Sequence, residues 1–391
     1  MHSFAFDRPT PTQKQAGVPF NGGPRPARTY CAVLFLTCRP AMSLIDQLMD
    51  KLQRHPKRVV FPEGSDPRII QTARQFATRR CGVPVLLGDR GEIKDRARRL
   101  DIRLDGIRIM EPERSDDFEL FRPMVDSHPR YASLPDAEKR ALLLDRHNFG
   151  AFMLASGRVD AFVGGATASS SSGLRSLFRI IPREEGFRTA SSMLILDQEK
   201  REFGFGGLLF LADCGVIPNP DADQLADIAV TTADIAAHLT NEPPRVAMLS
   251  FATHSSRLGL PMLEKIREAR DIARERAAAR GIEIEIDGEL QLDAALDPVV
   301  AEQKGVAGSP VAGRANVLIF PDLNSGNIAS KMIQVVAGAR TYGQIITGLS
   351  RPCAEISRGA HAYDIFGTAV ITACQAIERS FLFGTGKTAT S

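Results

Sequence analysis

Apolar and polar positions alternate in two registers along most of the chain. Short branched and aromatic runs such as Val59-Val60-Phe61, residues 83–87 and Ile107-Arg108-Ile109-Met110 each stop at a turn signal. Between them lie stretches with apolar residues three and four apart, for example Ile69, Ile70, Ala73 and Phe76. The runs predict strands, and the spaced stretches predict helices packed on them. A long helix is expected over about 134–155, then a strand over 159–163 that empties into Gly164-Gly165-Ala166-Thr167. Further strands are expected over 191–196, 208–212, 245–250, 282–286 and 316–320, with a helix opening at Asn219-Pro220-Asp221 and a strongly charged one over about 258–280. From Ile365 to Ile377 the chain is nearly free of charge, which predicts a helix buried on most sides. This βαβ rhythm implies an α/β fold whose ligands bind outside the carboxyl ends of strands.

Length refines the picture. A chain of 391 residues exceeds one compact core, so two α/β domains with a cleft between them are expected. Residues 1–41 break the periodicity with Pro9, Pro11, Pro19, Pro24, Pro26 and Pro40, and read as a flexible leader, with Met42 a candidate functional start. Hydrophobic residues at 43% suffice for a real core. The net charge of +3 is interspersed, which argues against nucleic acid or a membrane surface as partner. No apolar run reaches the roughly 18 to 20 residues of a membrane span. Six scattered cysteines without a C-x-x-C pair, and seven histidines without ligand spacing, predict no metal and fit a reducing cytoplasm.

Three loops carry candidate chemistry. Gly164 to Arg175 offers small residues, hydroxyls and helix-start amides, a setting for an anion in which Thr167, Ser169 and Arg175 are candidate contacts. A serine-rich helix cap explains the same residues. Asp322-Leu323-Asn324-Ser325-Gly326-Asn327 leads to Lys331; Asn324 and Asn327 supply amide donors and acceptors, and Gly326 permits close approach to the backbone, although a plain Asx-turn would look alike. Ser357-Arg358-Gly359 followed by Asp364 sets a hydroxyl, a guanidinium and a carboxylate at the mouth of the apolar helix. Alternatively, Asp364 serves the helix dipole and Arg358 is a surface charge. Gly384-Thr385-Gly386-Lys387-Thr388 lacks the first glycine and the flanking strand of a phosphate loop.

The segment from Gly308 to Ile328, with Asp287-Gly288-Glu289-Leu290-Gln291-Leu292-Asp293-Ala294-Ala295 and Ser357-Arg358-Gly359 before Asp364, closely resembles the signatures of the phosphate acetyl/butyryltransferase family. The resemblance runs from about Met42 to Arg379 and is nearest to its phosphate acetyltransferases. It implies reversible acetyl transfer between acetyl phosphate and coenzyme A, with coenzyme A, acetyl phosphate and phosphate as substrates and no tightly bound cofactor. It also implies an isocitrate dehydrogenase-like fold of two α/β/α domains, 42–187 with 342–391 and 188–341, in a cytoplasmic homodimer. By the resemblance Asp364 is the general base for the thiol, Ser357 supports the transition state, and Arg358 and Arg175 hold the anion.

A free aspartate titrates at about 3.9 and a thiol at about 8.5, so full proton transfer would be uphill by roughly 6 kcal/mol. Partial desolvation of Asp364, or proton loss concerted with attack, is therefore expected. The chain departs from the family pattern at Ala168, where histidine is common, and at Tyr363, where an acid is common. An arginine expected before the long helix has two candidates, Arg122 and Arg130. Other readings are a phosphate butyryltransferase or other acyl preference, a non-catalytic acetyl-CoA-sensing domain like that of some malic enzymes, and an oxidoreductase on the related scaffold.

Overall fold

The computed structural model describes residues 43–168, 170–198, 203–255 and 259–378, without the side chains of Ser170 and Ser171. The leader 1–41, Met42, Ser169 and the segment from Gly384 to Thr388 lie outside the described residues.

The strands are β1 (Lys57–Phe61), β2 (Gly82–Leu87), β3 (Arg108–Met110), β4 (Ala161–Gly164), β5 (Ser191–Asp197), β6 (Leu208–Ala212), β7 (Arg245–Leu249), β8 (Glu285–Leu290), β9 (Val317–Ile319), β10 (Arg340–Thr347) and β11 (Cys353–Glu355). They form one 11-stranded sheet in the order β3-β2-β1-β4-β11-β10-β5-β6-β9-β7-β8. From β3 to β11 all neighbours are parallel, so the carboxyl ends of β1, β4 and β11 share one margin. β10 and β5 pair antiparallel, and β6, β9, β7 and β8 then run parallel to one another in the opposite sense.

Alternation along the strands divides the core between the two faces. In β1, Val59 and Phe61 join a cluster with Ile69, Phe76, Phe366 and Val370. Val60 points the other way, into a cluster with Phe121, Phe149 and Phe162. The α/β class expected from the alternation is the class observed. Helix Ala362–Cys374 is buried at every position from Ile365 to Cys374, as its lack of charge implies.

Four elements differ from expectation. The long helix over 134–155 is two, Asp136–Leu144 and Arg146–Ala155, because Asp145 adopts an extended backbone and its carboxylate caps the second helix at the Asn148 amide. The strand expected over 282–286 is Glu285–Leu290. There the acids alternate inward: Asp287 is met by His254 and Ser309, and Glu289 by Arg267 and Ser255, so polar residues occupy core positions. Strands β10 and β11 escape the pattern altogether, one interrupted by Gly343-Gln344 and the other only three residues long.

Helix Ala362–Cys374 lies so close to β10 that a methyl group on Gly367 would stand 2.3 Å from the ring of Tyr342, which is fully buried. Alanine favours a helix by about 1 kcal/mol over glycine, whereas overpacking a rigid core costs about 1–3 kcal/mol. Gly367→Ala is therefore expected to lower stability in urea denaturation by up to about 2 kcal/mol. An unchanged or raised midpoint would show that the helix can shift away from the sheet.

Candidate functional site

The turn after β1, Pro62-Glu63-Gly64-Ser65-Asp66, delivers a carboxylate to the interior at the carboxyl margin of the sheet. Gly64 is needed there, since a Cβ would lie 2.7 Å from the Leu87 carbonyl. Glu63 is buried and accepts the backbone N–H groups of Ala166 (2.6 Å), Thr167 (2.7 Å) and Ala168 (2.7 Å) together with the Thr167 hydroxyl (3.0 Å). Burial alone would raise its pKa. The His147 ring and the three amides outweigh burial and hold the acid down to about 2, so Glu63 is ionised. The imidazole Nε2 is 3.7 Å away, outside hydrogen-bond reach, so the amides are the direct partners. The loop amides that offered an anion site in the sequence thus already face an anion belonging to the protein.

Asp66 caps helix Pro67–Thr78 and pairs with Arg68. The Arg68 guanidinium then donates to three carbonyls on two other segments: Ala166 (2.7 Å), Arg358 (2.6 Å) and Ala360 (3.0 Å). One side chain thereby ties the loop after β4 to the turn after β11. The strand ends are joined as well, since the Ile356 N–H donates to the Gly164 carbonyl at 2.7 Å.

On that support stands the turn Ser357-Arg358-Gly359. Ser357 and Arg358 are exposed, and the Ser357 hydroxyl accepts the Gly359 N–H at 3.4 Å. Asp364 lies in the first turn of helix Ala362–Cys374, half-buried, with Oδ2 accepting the His361 N–H at 3.2 Å. The Arg358 side chain makes no ion pair among the described residues. A carboxylate with one oxygen free of protein hydrogen bonds, a hydroxyl and an uncommitted guanidinium therefore lie within eight residues at one margin of the sheet. Such a set can bind an anion and remove a proton beside it.

The other sequence candidates fall in two places. Thr167 is held by Glu63, and Arg175 is exposed on helix Ser170–Ile180, which follows the same loop. Ser169 lies outside the described residues. Asn324, Gly326, Asn327 and Lys331 belong to helix Leu323–Val336 after β9, and their contacts run elsewhere. A Cβ on Gly326 would meet the Asp213 carbonyl at 2.2 Å, Asn327 Nδ2 donates to the Cys214 carbonyl at 3.1 Å, and Lys331 donates to Gln334 at 3.2 Å. No hydrogen bond or ion pair among the described residues joins this group to the Ser357–Asp364 turn. Of the two arginine candidates, Arg122 pairs with Asp136 at 2.6 Å and Arg130 is exposed.

Sequence reasoning missed Glu63, Asp66 and Arg68. In the sequence, Pro62 to Pro67 reads only as the turn signal that ends the strand Val59-Val60-Phe61. The available signal was an acid directly after a buried strand at the ligand-binding margin of a parallel sheet.

Residues 43–373 match the family described as "Phosphate acetyl/butaryl transferase". The chain is 38% identical over 335 residues to a phosphate acetyltransferase of Acetivibrio thermocellus, covering 86% of this chain and 98% of that one. It is 35% identical over 335 residues to that of Bacillus subtilis, covering 85% and 99%. Among solved structures it resembles the EutD phosphotransacetylase from Staphylococcus aureus, with a TM-score of 0.77 and 30% identity over 85% of this chain and 98% of that one. A phosphotransacetylase from Streptococcus pyogenes gives a TM-score of 0.77 at 33% identity, again over 85% and 98%. With its α/β fold and this margin of carboxylate, hydroxyl and guanidinium, the chain belongs to the phosphate acetyl/butyryl transferase family.

Proposed function

We propose that this protein is a phosphate acetyltransferase, moving an acetyl group reversibly between acetyl phosphate and coenzyme A, with the turn from Ser357 to Asp364 as its reaction centre. The observation that carries the reading is Asp364 in the first turn of a buried helix, one oxygen free, six residues after an exposed arginine without an ion-pair partner among the described residues, in a chain of this family. Asp364 takes the thiol proton as the sulfur attacks the acetyl carbon. Transfer concerted with attack avoids the roughly 6 kcal/mol of prior ionisation between free groups. The phosphate then leaves with its charge growing against Arg358 and Arg175, and Ser357 donates to an oxygen of the transition state. Thr167, Ser169, Asn324, Gly326, Asn327 and Lys331 are carried as substrate contacts. Coenzyme A enters as a substrate, and the reaction as written needs no tightly bound cofactor.

The arrangement is read as two α/β domains, 42–187 with 342–391 and 188–341, meeting where the sheet changes direction at β10 and β5. The described cysteines are buried free thiols, which fits the cytoplasm. A homodimer is supported by helix Leu323–Val336, which leaves Ile328 (64% exposed), Met332 (58%), Val335 (80%) and Val336 (80%) as an apolar stripe with helical spacing.

Asp364→Asn is expected to lower kcat for acetyl-CoA formation by about 10²–10⁴ with little change in coenzyme A KM, as for loss of a general base. Arg358→Gln is expected to lower kcat and also raise the KM for acetyl phosphate. Steady-state kinetics by thioester absorbance read both, with butyryl phosphate alongside to fix the acyl preference. Small, equal effects would remove the turn from the chemistry. Separately, the double variant Met332→Asp, Val335→Asp is expected to convert a dimer to a monomer in light scattering. Unchanged mass would place any dimer contact on another face.

A further inference from the structure

Glu355 ends β11, two residues before Ser357, and has no part in the chemistry above. It is only 4% exposed, and neither carboxyl oxygen has a hydrogen-bond partner among the described residues. Three glycines make room for it. A methyl on Gly173 would stand 2.2 Å from its Oε1, one on Gly165 2.9 Å from its Cδ, and one on Gly164 3.4 Å from its Oε2. Its carboxyl group therefore packs against the same loop whose amides Glu63 holds.

An isolated carboxylate in such a place is strongly disfavoured, and a second negative charge nearby makes it worse. Burial first, and the charge of Glu63 next, push the acid up to about 9, so Glu355 is neutral where Glu63 is ionised. The titratable groups on the surrounding elements are few. The turn after β1 brings Glu63, and the start of helix Pro67–Thr78 brings the paired Asp66 and Arg68. Helix Arg146–Ala155 brings His147, with Nε2 3.7 Å from Glu63. Helix Ser170–Ile180 meets it with Gly173 and carries Arg175 on its exposed side. β10 opens with Arg340, and helix Ala362–Cys374 opens with His361 and Asp364. Cys353 on its own strand is a buried thiol raised by burial and by Glu355. Among these no cation is within ion-pairing distance of Glu355.

We propose that Glu355 is a positioning residue for this reaction: as a neutral acid it seats the loop after β4 and the Ser357–Asp364 turn, and its ionisation unseats both. The inference rests on the proposed reaction centre. The mechanical link runs through contacts of the loop and the turn. Charge on Glu355 repels Glu63, Glu63 holds the amides of 166–168, and the Ala166 carbonyl shares Arg68 with the carbonyls of Arg358 and Ala360. Glu355 is buried beneath the surface, so its effect is passed on through the loop and turn packed around it.

The test is the pH profile of kcat in the direction from acetyl-CoA and phosphate, each enzyme scaled to its own maximum. Wild type is expected to lose activity about tenfold per pH unit above about pH 9, as the neutral form is titrated away. Glu355→Asp keeps an ionisable group and is expected to keep an alkaline fall. Glu355→Gln, which is neutral at every pH, is expected to lose that fall. An identical alkaline limb in wild type and Glu355→Gln would overturn the proposal. Infrared difference spectra supply a second readout that needs no turnover: wild type at about pH 8 should show the carbonyl band of a protonated carboxylic acid that Glu355→Gln lacks. Absence of the band in wild type would also overturn it, and this decides the matter should Glu355→Gln fail to fold. The Asp364→Asn rate separates the two claims. Undiminished turnover there would sink the reaction centre, whereas an inactive Asp364→Asn with an unmoved alkaline limb sinks only the role of Glu355.

Discussion

The margin formed by the carboxyl ends of β1, β4 and β11 depends on one buried charge. Glu63 is an ionised carboxylate inside the protein, and a buried charge is tolerable only when fully hydrogen-bonded. Its partners are successive backbone amides of a single loop, so satisfying the charge fixes the path of that loop. Arg68 then passes the constraint to the turn after β11, because a guanidinium can reach three carbonyls at once and an ammonium point charge would not fix their relative positions as well. Ser357 and Arg358 can remain exposed because the backbone of their turn, not their side chains, carries the restraint.

The same margin holds two acids in opposite states a short way apart. Glu63 has amides and is charged; Glu355 has glycines and is neutral. The difference comes from what each carboxyl group meets rather than from how deeply it lies, since both are almost fully buried. Glycines meet one acid and backbone amides the other, and that sorts the two protonation states, whereas Asp364 lies half-buried at a helix start.

Much of this was legible in the residues. Val59-Val60-Phe61, Ile69 to Phe76 and the uncharged run after Asp364 announce strand, amphipathic helix and buried helix because burial leaves a periodic trace. The family signatures and the Ser357-Arg358-Gly359 turn were legible as linear motifs. The clamp was not, because Glu63 and Arg68 act on residues about 100 and 290 positions away, and nothing local marks an acid that will meet a distant loop's amides. Glu355 was hidden for a related reason: a three-residue strand leaves too little alternation to show which face its acid takes. Asp145 split a helix that periodicity ran straight through, since a cap is a single-residue event within an unbroken apolar pattern.

The measurement that bears most directly on this account is coenzyme A-dependent acetyl-CoA formation from acetyl phosphate, followed as thioester absorbance, in wild type and Glu63→Gln. Glutamine removes the charge and turns an NH₂ group toward amide donors, so the loop after β4 and the turn after β11 lose their common seat. Turnover is expected from wild type, with a loss of at least about tenfold in Glu63→Gln, about 1.4 kcal/mol of barrier, although Glu63 is buried. Turnover by a folded Glu63→Gln equal to wild type would contradict it.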